Sequence, residues 1–279
     1  MQGRTIVATG ATSGIGEKAV DALARQGARI VFVARDGARA DATLRRLEAI
    51  APGRGHKAHL ADLSLMREAA RVGAAIAADE PAIDVLINNA GAVFADRRLT
   101  AEGLERTFAL NHMSYFVVTA HLLDRLTAAP AARIVCTASQ AHRGARLDFD
   151  DLQGEKRFNG LRAYQRSKLA NILFTRELAR RLAGTGVTAN CLHPGVVASR
   201  FADEAGGWAA PIFALVKRFA ISPERGADTL LFLAQSAEVA GVSGEYFAKR
   251  KLAPTSGPAR DPTAAKRLWE ISERLSAAV

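Results

Sequence analysis

Apolar residues along this chain fall in short runs, separated by stretches in which they recur with helical spacing. Residues 5–9, 29–34, 57–60, 83–87, 133–137, 187–192 and 244–247 are runs of strand length. Between them, residues 17–26, 38–50, 64–78, 101–126 and 163–182 place apolar positions three and four apart, as one face of a helix does. Ser64 stands where the third helix would be capped. Apolar runs joined by segments long enough for a helix predict parallel strands linked by right-handed crossovers. The expected fold is therefore α/β: a doubly wound parallel sheet of about seven strands with helices on both faces. No repeat or linker divides the chain, so residues 1–279 read as a single domain closed by a helix over 262–276. Residues 196–222 depart from the pattern. They carry Phe201, Trp208, Pro211, Phe213 and Phe219 without a strand signal, and read either as a substrate lid or as a helical insertion packed on the core.

Composition changes this picture little. A hydrophobic content of 49% supplies a core, and 24% charged residues argues against disorder. No uninterrupted apolar run is long enough to span a membrane, and the first strand follows the N-terminus without signal-peptide anatomy. With two cysteines, Cys136 and Cys191, each inside an apolar run, a disulfide framework is not expected and a reducing cytoplasm is the natural compartment. The net charge of +10 could attract an anionic cofactor or nucleic acid. The basic residues are dispersed, short clusters such as Lys249-Arg250-Lys251 are isolated, and no aromatic–basic alternation suits base stacking, so no nucleic-acid partner is expected. His56, His59, His112, His121, His142 and His193 lack metal-ligand spacing, and no metal is expected.

The candidate chemistry begins at Thr9-Gly10-Ala11-Thr12-Ser13-Gly14-Ile15-Gly16, between the first strand and first helix. Glycines there permit a tight turn and close approach of a pyrophosphate to the helix N-terminus. The spacing differs from GxGxxG and resembles the TGxxxGIG signature of short-chain dehydrogenases/reductases, which implies a Rossmann fold and a nicotinamide cofactor. Arg35 at the end of the second strand and Arg39 one turn later suit the 2′-phosphate of NADP(H), with Ser13 able to add a hydroxyl. Asp36 keeps NAD(H) open as the less favoured cofactor. Asp62-Leu63 resembles the family's adenine contact, and Asn88-Asn89-Ala90-Gly91 its NNAG motif. Pro194-Gly195-Val196-Val197-Ala198-Ser199 resembles the PGxVxT segment that contacts nicotinamide, implying contacts from Pro194, Gly195, Val197 and Ser199.

Tyr164 and Lys168 stand four apart in a helical stretch and so share a face. A phenol is a poor base at neutral pH, and a neighbouring ammonium is expected to move its pKa toward the working range. Ser139 closes the fifth strand, where doubly wound sheets place ligands. Asn111 falls in the preceding helix. The resemblance implies an Asn111–Ser139–Tyr164–Lys168 tetrad, with Tyr164 moving a proton and Lys168 also holding the nicotinamide ribose. His142, Phe201 and Trp208 are candidate substrate contacts beside Ser139, although a hydrogen-bonded loop histidine is the plainer reading of His142.

A longer stretch narrows the resemblance. Leu152-Gln153-Gly154-Glu155-Lys156, Tyr164 through Arg181 with its Ser167-Lys168-Leu169-Ala170-Asn171, and Cys191-Leu192-His193-Pro194-Gly195 look like the retinol dehydrogenases and the related WW-domain-containing oxidoreductase. The resemblance implies hydride transfer between nicotinamide and a substrate carbonyl, and the apolar 196–219 segment suggests a small hydrophobic aldehyde, ketone or alcohol. Many animal members carry an N-terminal membrane anchor, and a chain starting at the first strand is expected to be soluble. Two alternatives stay open: an NAD-dependent alcohol or hydroxysteroid-like dehydrogenase, and a non-catalytic nucleotide-binding protein on the same fold. In many relatives the helices 101–126 and 163–182 build a four-helix homodimer interface. The C-terminal helix could cover it here, leaving a dimer or a monomer.

Overall fold

Side chains of successive strands alternate between two apolar cores, one on each face of a single sheet. In the computed structural model, which describes residues 1–195 and 221–278, Ile6 and Ala8 of β1 (Thr5–Thr9) point to one core and Val7 to the other. β2 (Arg29–Ala34) divides in the same way, Ile30 and Phe32 against Val31 and Val33. The remaining strands are β3 (Lys57–Leu60), β4 (Val85–Asn88), β5 (Arg133–Thr137), β6 (Thr188–His193), β7 (Tyr246–Ala248) and β8 (Lys251–Leu252). They lie in the order β3-β2-β1-β4-β5-β6-β7-β8.

Helices α1 (Gly14–Arg25), α2 (Gly37–Ile50) and α7 (Pro223–Gln235) cover one face. On the other lie α3 (Met66–Asp79), the short α4 (Arg106–Phe108), α5 (Ser114–Thr127), α6 (Gly160–Arg181) and the C-terminal α8 (Pro262–Ala277). This is the expected doubly wound α/β fold, with one difference. Among the described residues seven strands are parallel, and an eighth, β8, pairs antiparallel with β7. The turn between them holds Lys249 and Arg250 at φ of 51° and 61°. Such turns ordinarily select Asn-Gly or Asp-Gly, so the hairpin carries no local sequence signal.

Two helix starts differ from expectation. Ser64 does not cap α3, because its hydroxyl donates to Asp62 Oδ1 at 2.7 Å and the helix begins two residues later. The backbone N–H groups of Met66 and Arg67 instead donate to the carboxylate of Glu102, at 2.5 and 2.9 Å. The helix expected over 101–126 begins only at Arg106, where Glu105 accepts from the N–H groups of Thr107 and Phe108. It then widens into a π-helical turn, Ala109–Met113, before α5. Single π-turns interrupt α-helices mostly at functional sites, and this one carries Asn111.

Candidate active site

The strand order reverses between β1 and β4, and the carboxyl ends of strands at such a point frame a crevice for ligands. The two ends are stitched together. Thr9 Oγ1 accepts from the backbone N–H groups of Asn89 and Ala90 at 3.0 and 3.1 Å, and Asn89 Nδ2 donates to the Gly10 carbonyl. Gly10 has φ of +67°, and a Cβ on it would stand 2.9 Å from the Ala90 backbone. A Cβ on Gly16 would lie 2.1 Å from the Gly10 carbonyl oxygen. Glycine is therefore demanded at both positions, the first for the turn and the second for close passage of helix and strand.

Above this junction lies a cavity of about 180 Å³ lined by Gly10, Ser13, Gly14, Ile15, Asn89 and Gly91 on one side. Ser139, Tyr164, Lys168, Pro194 and Gly195 line the other. It continues into a cleft of about 390 Å³ bounded by Thr12, Arg35, Arg39, Asp62, Leu63 and Ala90. Ser13 occupies the N-cap position of α1 yet makes no side-chain cap bond, which leaves first-turn N–H groups able to meet an anion. A dinucleotide fits this chain: a glycine cradle and helix N-terminus for the pyrophosphate, and basic side chains at the end of β2.

Lys168, 2% exposed, reaches from α6 to donate to the Thr137 carbonyl at 3.0 Å, with Nζ 5.7 Å from the Tyr164 ring centroid. Ser139 hydrogen-bonds the phenol of Tyr164. Asn111 Oδ1 accepts from Ala92 N at 2.9 Å, while its Nδ2 donates to the Ala92 carbonyl and to Ser167 Oγ. A Cβ on Gly91 would stand 3.0 Å from Asn111 Oδ1 and 3.6 Å from Lys168 Nζ, so the bare glycine lets both groups crowd one spot.

The model of the family described as short chain dehydrogenase matches residues 4–209. The chain belongs to the short-chain dehydrogenase family. Retinol dehydrogenase 14 of Mus musculus is 40% identical over 98% of this chain and 86% of its own length. Retinol dehydrogenase 13 of Homo sapiens is 38% identical over 98% and 84%. These likenesses put the chain in the retinol dehydrogenase branch. Among solved structures, an uncharacterized protein from Mycobacterium paratuberculosis superposes with a TM-score of 0.79 at 31% identity, covering 99% of this chain and 94% of that one. An NADP active-site complex of Pseudomonas aeruginosa RhlG gives 0.70 at 28% identity, covering 93% and 97%.

The electrostatics of this dehydrogenase differ from the simple expectation. Burial is the largest influence on Tyr164 and pushes its phenol up to about 12, against a lowering by the Ser139 hydrogen bond. Burial likewise pulls Lys168 down to about 7. Desolvation of the phenol itself thus outweighs the lowering expected from an adjacent ammonium, and the Lys168 Nζ is directed at a backbone carbonyl. A protonated phenol at neutral pH can give a proton to an oxygen gaining negative charge.

His142 does not line the cavity. It is fully buried, with Nδ1 donating to the Ser139 carbonyl at 2.6 Å and Nε2 accepting from Ser256 N at 3.2 Å. It braces the Ser139 loop against the C-terminal segment. Val197, Ser199, Phe201, Trp208 and nearly all of the 196–222 segment lie outside the described residues. Thr137 carries no site expectation from sequence, and Thr9 only one as the first residue of the glycine-rich turn. Thr137 Oγ1 donates to Asn89 Oδ1 at 3.0 Å and its carbonyl holds Lys168. Their positions at the carboxyl ends of β1 and β5 were the available signal.

Proposed function

We propose that this chain is an NADP(H)-dependent oxidoreductase that interconverts a hydrophobic aldehyde or ketone and its alcohol, with Tyr164 as proton donor and acceptor. The convergence of Ser139, Tyr164 and Lys168 on the cavity that also holds the glycine turn carries this reading. When bound, a nicotinamide dinucleotide supplies or takes up the hydride. The Ser139 hydroxyl orients the substrate carbonyl oxygen, and Tyr164 donates its proton to that oxygen. Lys168 holds ribose hydroxyls, and Asn111 fixes the backbone beside it. The protonated state of Tyr164 favours reduction of the carbonyl.

The choice of NADP(H) rests on Arg35 and Arg39 at the cleft and on the state of Asp36. Asp36 also lines the cleft, but its Oδ1 caps α2, accepting from Arg39 N at 2.8 Å, so one oxygen of the acid that would select NAD(H) is engaged in the helix. The NADP complex of RhlG supports the same choice, and the retinol dehydrogenase relatives support an apolar substrate. A panel of apolar aldehydes, ketones and alcohols, assayed separately with NADPH and NADH, tests both parts. NADPH should give the higher kcat/KM, and Tyr164→Phe should lose at least about 100-fold in kcat while still quenching on NADPH addition. Full turnover by Tyr164→Phe refutes the chemistry, and higher kcat/KM with NADH refutes the role of Arg35.

A further inference from the structure

We infer that a buried line of polar side chains, Ser272–His112–Asn171, joins the C-terminal helix to the Thr137 carbonyl that holds Lys168, and that His112 and Asn171 are positioning residues for this lysine. The inference rests on the catalytic reading of Lys168 above. All three side chains are 0% exposed. His112 follows Asn111 on the π-helical turn, its ring set between Phe108 and Phe174 at centroid distances of 5.1 and 6.1 Å. Its Nε2 lies 3.0 Å from Ser272 Oγ, whose hydroxyl is also placed to donate to the Leu268 carbonyl at 2.9 Å. Asn171 is three residues beyond Lys168 on α6. Its Nδ2 donates at 3.2 Å to Thr137 O, the acceptor that Lys168 Nζ meets at 3.0 Å.

Hydrogen-bond accounting gives the line its direction. His112 Nδ1 and Asn171 Oδ1 are both buried without a partner at normal geometry. The Asn171 amide nevertheless draws the imidazole pKa upward against burial, as a hydrogen-bonding acceptor beside it would. Burial holds His112 at about 4, so the ring is neutral and carries one proton. If that proton sat on Nε2, Nδ1 would oppose Asn171 Oδ1 lone pair to lone pair. With the proton on Nδ1 both orphans are satisfied, and the Ser272 hydroxyl, whose single proton otherwise goes to the Leu268 carbonyl, rotates to donate to Nε2. Each group then donates to the next: Ser272 to His112, His112 to Asn171, Asn171 to Thr137 O. The amide holds the carbonyl in place and shares it with the lysine. Without the amide, the carbonyl would serve the ammonium alone and favour its charged form.

The ligand-free protein, labelled with ε-13C lysine, reports Lys168 directly by NMR titration. Asn171→Ala should raise the Lys168 midpoint by about half to one pH unit. Asn171→Asp keeps the acceptor for His112 but loses the donor to Thr137, and should move the midpoint the same way. His112→Phe fits the aromatic surroundings and should shift it less, Ser272→Ala least. With NADPH and decanal as probes, kcat of Asn171→Ala should fall about 5- to 20-fold, KM for NADPH should change less than about threefold, and the alkaline limb of the pH profile should follow the midpoint. A folded Asn171→Ala or His112→Phe whose Lys168 midpoint stays at the wild-type value overturns the inference, whatever happens to thermal stability. Should the Asn171 variants not fold, His112→Phe and Ser272→Ala decide it by the same readout. Inactivity of the wild type on every carbonyl probe counts against the catalytic reading, not the polar line, since the titration needs neither cofactor nor substrate.

Discussion

Lys168 is a base kept in a place that disfavours its charge, and its cost has a definite sign. Its pKa is about 7 in the fold against 10.5 for the free side chain. Between those values the unfolded chain binds a proton that the folded chain does not, so stability rises as pH climbs through this window. At and below pH 7 the penalty is fully present. Lys168→Met removes it, and we expect an increase in Tm of roughly 5 °C or more at pH 6, shrinking toward zero at pH 10, with turnover abolished. Scanning calorimetry at the two pH values reads this; equal gains at both would mean that packing, not desolvation, is responsible. The same ionisation predicts how activity depends on pH. If the ammonium holds the cofactor, carbonyl reduction should decline as pH rises through about 7 and above, as Lys168 loses its proton. Alcohol oxidation loses the same ammonium but gains phenolate at Tyr164, which offsets that loss, so it should hold up better than reduction over that range. Initial rates in both directions from pH 5.5 to 10 would show whether the two profiles diverge. Parallel profiles would sink the assignment.

At the scale of elements, what the sequence revealed and what it hid have separate physical causes. β1, β2 and β5 are written in local apolar runs, and their limits, like those of the more polar β3, agree with the structure. The glycine turn and the Asn88–Gly91 segment were legible because backbone geometry restricts residue type there. Ser64 misled because a cap is a competition. Asp62 offers its hydroxyl a nearer acceptor, and the true cap, Glu102, is remote in sequence. The π-turn at Asn111 was invisible for a similar reason, since the asparagine's partners, Ala92 and Ser167, lie in other elements. The residue types of the catalytic group could be read, but the protonation of Tyr164 could not, because burial is a property of the assembled fold. The remote cap yields a direct prediction. Glu102→Ala frees two N–H groups at the start of α3 and should cost about 1 kcal/mol in urea unfolding. Glu102→Gln retains one good acceptor and should lose less. If Ala and Gln are equal to wild type, Glu102 does not cap this helix in solution.

At the scale of the whole molecule, the C-terminal helix decides which surface remains open. Trp269 of α8 stacks on Phe174 of α6 at 5.8 Å and 11° between planes. Its ring also meets Phe116 of α5 edge-on at 4.9 Å, and the Arg181 guanidinium lies 4.3 Å from its centroid. The sequence resemblance pointed to these same two helices as a dimer face. A four-helix contact there would have to displace α8, surrendering the aromatic cluster and the buried Ser272–His112 bond together. We therefore expect wild-type protein to be monomeric through this face. Trp269→Ala should lose about 2–4 kcal/mol of stability and uncover Phe116 and Phe174, which would then drive self-association that grows with concentration. Light scattering of both proteins over a hundredfold concentration range makes the comparison. A wild-type dimer whose cross-links map to α5 and α6 would show that α8 leaves enough of the face free to pair. The net charge of +10 sharpens the test, because repulsion between like copies weakens with salt while apolar association does not. Self-association of Trp269→Ala should therefore strengthen as ionic strength rises.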